Sequence, residues 1–116
     1  MNKVLITGAA GFIGYHLSKS ILSLKSFKVI GIDNMDNYYD VKLKKNRIKI
    51  LRENRNFDFF KIDITNKQKV SNLFKKNNFT YVVHLAAQAG VRYSIENPEK
   101  YLQTNIIGFF NIINMC

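Results

Sequence analysis

The chain has 116 residues, 47% of them hydrophobic, with one proline and six glycines. This is one domain at most, with ample material for a core and none of the bias of a disordered chain. The net charge of +10 invites a nucleic-acid reading, but the basic residues are spread along the chain. The excess of lysine, asparagine and isoleucine reads as compositional bias, and neither nucleic acid nor membrane is expected as a partner.

The only cysteine is Cys116, so no internal disulfide framework is expected. No signal-peptide pattern opens the chain, and a cytoplasmic location is the expectation. The apolar cluster at 106–113 is about half a membrane span and is broken by Gly108 and Asn111.

In chain order, residues 1–7 form an apolar, β-branched run suited to a strand buried on both faces. A helical pattern follows from 12 to about 25, with Ile13, Leu17, Ile21 and Leu24 on one face. Residues 28–33 read as a second strand, and 34–40 as a loop rich in Asn, Asp and Tyr. Asp40 is placed to cap a helix from 41 to about 55. Residues 57–62 form a third strand. The stretch Thr65-Asn66-Lys67-Gln68 has capping-box spacing before a helix that runs to about 76. Residues 80–85 form a fourth strand and a loop begins at Ala86. Asn97-Pro98 then starts a last helix that runs to Cys116. Strands alternating with helices predict an α/β fold: a Rossmann-like, doubly wound parallel sheet with strand order 3-2-1-4. The last helix lacks a stop signal and such sheets usually have more strands, so the 116 residues are expected to be an incomplete dinucleotide-binding domain.

The chemistry concentrates at strand ends. Gly8-x-x-Gly11-x-x-Gly14 follows the first strand and opens the first helix. Gly8 suits the tight turn, Gly11 the approach of a pyrophosphate, and Gly14 close helix–strand packing. Amides near Phe12 and Ile13 would point at the phosphates, aided by the helix dipole. Asp33 ends the second strand, where a carboxylate accepts from the adenosine ribose hydroxyls. With no arginine near it in sequence, the cofactor expected is NAD rather than NADP. Asp63-Ile64 ends the third strand, where side chain and amide could meet the adenine. Small residues in Ala86-Ala87-Gln88 let a cofactor pass over the backbone after the fourth. His16 and His84 have no metal partner at suitable spacing and are read as structural; no metal site is expected.

These residues carry a resemblance. The stretches Thr7-Gly8-Ala9-Ala10-Gly11-Phe12-Ile13-Gly14-Tyr15-His16-Leu17, Gly31-Ile32-Asp33-Asn34-Met35-Asp36-Asn37-Tyr38-Tyr39-Asp40 and His84-Leu85-Ala86-Ala87-Gln88-Ala89-Gly90-Val91-Arg92-Tyr93-Ser94 resemble the extended short-chain dehydrogenase/reductases that act on nucleotide sugars. Within them, the second and third resemble the UDP-glucuronate 4-epimerases. The resemblance implies NAD contacts from Gly8, Gly11, Phe12, Ile13, Gly14, Asp33, Asn34, Asp63, Ile64, Ala86, Ala87, Gln88 and Asn105. It implies that Gln88 and Arg92 face a UDP-sugar.

The implied chemistry is oxidation at the sugar C4 by NAD, turnover of the 4-keto sugar, and hydride return to its other face. The tyrosine–lysine pair that such enzymes use has no counterpart in this chain. Tyr15 to Lys19 and Tyr38 to Lys42 have the spacing but lie in the wrong places. The chain is therefore expected to be an N-terminal part that is inactive alone. A homodimer through the last helix is also implied, since Ile106, Phe109, Phe110 and Ile113 recur at helical spacing. The alternatives are a sugar-nucleotide 4,6-dehydratase or decarboxylase on the same scaffold, a stand-alone dinucleotide-binding or interaction module, and a basic helix at 42–55 that grips nucleic acid.

Overall fold

The computed structural model describes residues 1–37 and 40–116. Its strands are β1 (Asn2–Thr7), β2 (Phe27–Asp33), β3 (Phe57–Lys61) and β4 (Tyr81–His84). Its helices are α1 (Phe12–Leu22), α2 (Val41–Arg52), α3 (Lys67–Lys76), α4 (Val91–Glu96), α5 (Pro98–Leu102) and α6 (Phe109–Met115). The four strands form one parallel sheet in the order β3-β2-β1-β4, as expected. Thr7 lies level with Ile32 of β2 and with His84 of β4. The carboxyl ends of the three strands therefore meet along one line, the place where open parallel sheets bind ligands.

Two apolar clusters cover the sheet. Val4, Ile6, Val29 and Phe57 pack with Tyr15 and Leu22 of α1 and Ile48 and Leu51 of α2. Leu5, Ile30 and Ile32 pack on the other side with Val70 and Leu73 of α3 and Ile112 of α6. Alternate residues of β1 and β2 thus serve opposite faces, which explains why both strands are apolar throughout.

Several expectations need correction. The buried face of α1 is Gly14, Tyr15, Ser18 and Leu22, whereas Ile13 and Leu24 are exposed. The helix meets the strand end through small residues, and the Ser18 hydroxyl donates to the Gly14 carbonyl (2.7 Å), so the expected stripe packs only in its middle, where Leu17 and Ile21 lie partly buried against the core. The chain leaves α1 at Leu22, and Lys25 takes a positive φ of 61°. Asn66, not Thr65, caps α3 by accepting from the Lys69 amide, because Thr65 is held by Asp63 instead. The segment after Ala89 is more helical than expected, with the short α4. The single last helix is α5 and α6 joined through a π-helical turn, Gln103–Gly108. β4 carries no buried residue and stands at the edge of the sheet.

Candidate functional site

At the carboxyl ends of β1, β2 and β4 lies a cavity of about 600 Å³, within the range of small-molecule and cofactor sites. Its floor is the turn from β1 into α1. Gly8 adopts φ +72°, and a Cβ there would stand 2.9 Å from the Ala86 amide nitrogen. A Cβ on Gly14 would overlap the Gly8 carbonyl oxygen. The turn is tied to β2 by the Gly8 and Ala9 amides, which both donate to the Ile32 carbonyl. Gly11 is the N-cap of α1 and offers no side-chain cap. The first amides of the helix lack intrahelical acceptors and lie at the cavity edge, where an anion is favoured.

Gly8, Gly11, Phe12, Ile13 and Gly14 all line this cavity, as do Asp33, Asn34, Ile64, Ala86, Ala87 and Gln88. Asp33 is nearly buried. One carboxylate oxygen accepts from the Ala10 amide (3.1 Å) and the other from the Met35 amide (2.8 Å). The carboxylate therefore fixes both the glycine turn and the β2 exit. Each of its oxygens still has a second lone pair for a ligand hydroxyl.

Three expected residues lie elsewhere. Asp63 does not line the cavity. It accepts from the Thr65 amide and hydroxyl and from the Asn34 side-chain amide. Burial pushes its carboxyl upward, but those hydrogen bonds and the charge of Lys100 hold it below its ordinary value. Asn105, in the π-helical turn, also stands outside the lining. Its side chain accepts from the Gln88 amide (2.7 Å) and donates to the Gln88 carbonyl (3.0 Å). It holds the wall and leaves the lining to Thr104. Arg92 projects from α4 with its side chain 93% exposed and, among the described residues, pairs with Glu96, one turn along (3.2 Å). Of the two Tyr-x-x-x-Lys strings, Tyr15 is buried in the core and does not line the cavity. Tyr38 lies outside the described residues, as does Tyr39.

The cavity also contains residues that the sequence reading passed over. Leu43, Lys44 and Arg47 of α2 line it. Arg47 donates to the Ala10 carbonyl (3.0 Å) and stands near the Phe12 ring. Lys44 is almost fully buried and donates to the Asp36 carbonyl (2.9 Å). An arginine thus does reach the Asp33 corner, through the fold and not through sequence proximity. The signal was the three-residue spacing of Lys44 and Arg47, which shares one helix face.

On the rim, Lys100 of α5 pairs with the Asp36 carboxylate in the loop after β2. The hydrogen bond to Asp36 raises Lys100 above its ordinary value, with smaller help from Tyr93. Among the described residues no group of three or more His, Cys, Asp or Glu side chains could hold a metal ion. No helix is long and apolar enough to cross a membrane among those residues.

Comparisons with known proteins agree with this geometry. A family model described as GDP-mannose 4,6 dehydratase matches residues 5–116. Protein CapI of Staphylococcus aureus is 49% identical over 111 residues, covering 96% of this chain and 33% of that protein. UDP-glucuronate 4-epimerase 4 of Arabidopsis thaliana is 47% identical over 113 residues, covering 97% of this chain and 25% of its own. The crystal structure of UDP-glucuronic acid 4-epimerase from Bacillus cereus, in complex with UDP-glucuronic acid and NAD, superposes with a TM-score of 0.89. It is 36% identical and covers 98% of this chain and 36% of the matched one. The chain thus spans a quarter to about a third of the length of these relatives.

Proposed function

This chain belongs to the GDP-mannose 4,6-dehydratase family, whose members are NAD-dependent nucleotide-sugar epimerases and dehydratases, and from that premise we propose that it forms the NAD-binding part of a UDP-glucuronate 4-epimerase. The observation that carries the reading is the cavity walled by Gly8 to Gly14, Asp33 and Ala86 to Gln88. A side chain at Gly8 or Gly14 would meet backbone, so the turn stays thin enough for a pyrophosphate to approach. The residues present therefore fit a dinucleotide. The amides at the start of α1 would hold the phosphates, and Asp33 the adenosine ribose. Asn34 and Ile64 would border the adenine, and residues 86–88 the nicotinamide half. When bound, NAD supplies reversible hydride acceptance from a sugar carbon.

Within this reading Gln88 and Arg92 face the UDP-sugar, and Asp63 and Asn105 act by holding Asn34 and Gln88 in place. The proton-transferring tyrosine and lysine lie outside this chain, and a homodimer forms through the exposed Ile106, Phe109, Phe110 and Ile113. The identities to UDP-glucuronate 4-epimerases support the C4 epimerase. The description of the matching family model favours a second reading, a sugar-nucleotide 4,6-dehydratase on the same scaffold.

Calorimetric titration of the purified chain with NAD tests the cofactor site. Saturable binding is expected, and its absence sinks the reading. The chain alone should not invert UDP-glucuronate at C4, and measurable turnover would refute that part.

A further inference from the structure

The Thr7 side chain is fully buried at the end of β1, and its hydroxyl oxygen sits among three partners. The Leu85 amide, shared with the Thr7 carbonyl (3.3 Å), donates to it at 2.9 Å, and the Ala86 amide at 3.0 Å. The third partner is Nδ1 of His84, at 2.8 Å. A hydroxyl has two acceptor lone pairs and one proton. The two amides occupy both lone pairs, because a backbone N–H can only donate. The one remaining direction is the hydroxyl's own proton, which must go to His84. Nδ1 must then be the unprotonated acceptor and the ring proton must sit on Nε2.

The arrangement has a direct bearing on the cavity. Residues 85–88 form its wall beside the glycine turn, close enough that a Cβ on Gly8 would stand 2.9 Å from the Ala86 amide nitrogen. We infer that His84 is a proton-sensitive positioning residue, whose unprotonated Nδ1 orients the Thr7 hydroxyl and so holds residues 85–88 in register with the glycine turn. Imidazolium carries a proton on both nitrogens. It would face the Thr7 hydroxyl donor to donor, and the hydroxyl would have to release an amide or leave its own proton without an acceptor in a buried site.

The surroundings of the ring favour the neutral form. Phe109 of α6 lies against it, with ring centroids 5.5 Å apart. Neither α6 nor the π-helical turn carries a charged side chain, and residues 85–88 carry none. On β1 the one charged side chain, Lys3, lies at the opposite end of the strand, and on β4 the one other titratable group is Tyr81, at the strand start. Burial pushes the imidazole below its ordinary value, with no charged neighbour as a cause.

The effect on the cofactor rests on the NAD reading above, but the test separates the two. Ring-nitrogen spectra of the 15N-labelled full chain near neutral pH, without NAD, should show His84 as the Nε2–H tautomer. The His84→Asn spectrum assigns the signal. Asn can keep an acceptor oxygen where Nδ1 stands but does not titrate. On moving from about pH 7.5 to about pH 5.5, the protection of the Ala86 amide should fall by about tenfold in the native chain and hold in His84→Asn. NAD affinity should follow the same pattern, whereas His84→Leu should bind about tenfold more weakly at both pH values. An Nδ1–H tautomer, or parallel pH profiles for the native chain and His84→Asn, would overturn the inference. Absence of NAD binding with the expected tautomer and amide behaviour would overturn the cavity's reading and leave the role of His84 standing.

Discussion

The two sides of the cavity are built differently. On the glycine-turn side, Thr7, Ala9 and Ala10 are completely buried, the turn is bonded to β2 through main-chain amides, and Asp33 and Arg47 fasten Ala10 by its amide and its carbonyl. On the far side, α4 and α5 contain no buried residue, and Val91 and Ile95 are 80% and 76% exposed. The wall proposed to hold the pyrophosphate and the adenosine ribose is thus complete within its own packing. The far wall is held by Asn105, which fixes Gln88, and by the Lys100–Asp36 pair. Binding of the cofactor should be a property of this chain alone, whereas recognition of the sugar should not.

The sharpest break in that comparison comes from Gly14→Ala. Its Cβ would collide with backbone that cannot rotate away, so stability should drop by about 3 kcal/mol or more in urea unfolding, with NAD binding lost. Asp33→Asn comes next. It turns one acceptor into a donor opposed to a backbone amide, and NAD affinity should weaken by about 1.5–3 kcal/mol in calorimetry. Arg47→Ala releases the Ala10 carbonyl and should weaken NAD by about tenfold with little change in melting temperature.

Asp63 gives a smaller signal through pH. Its folded-state pKa is lowered from 3.8, so its contribution to stability is present above that value and is lost as pH falls through the folded value. Asp63→Asn should flatten the acid limb of the urea midpoint. Arg92→Ala should change neither NAD affinity nor stability, since its pair with Glu96 lies on the surface. A loss of NAD affinity there would erase the distinction between the two sides.

The well-packed side was also the legible one. The strand order, the glycine turn and Asp33 follow from local patterns: apolar runs, glycine spacing and a strand-end acid. The face of α1 was legible in part: Leu17 and Ile21 pack against the core, but Gly14 and Ser18 pack there by being small, which a hydrophobic stripe does not register. Lys44 and Arg47 reach the cavity only because α2 crosses back over the turn. The roles of Thr7 and Asn105 depend on partners 77 and 17 residues away, and no periodicity connects those pairs. On the exposed side α4 escaped notice because residues 91–96 are a run of six with no side-chain cap, too short to show a helical period.

The pair between Lys100 and Asp36 spans 64 positions, so it closes a chain loop longer than half the protein without a covalent bond. Closing such a loop costs entropy that grows only slowly with its length, while the attraction that closes it is screened by dissolved ions. The order of α5 is therefore set by the medium as much as by the fold. Raising the ionic strength should loosen this clasp and speed the exchange of a bound dinucleotide, while the four-stranded sheet beneath it stays as it is.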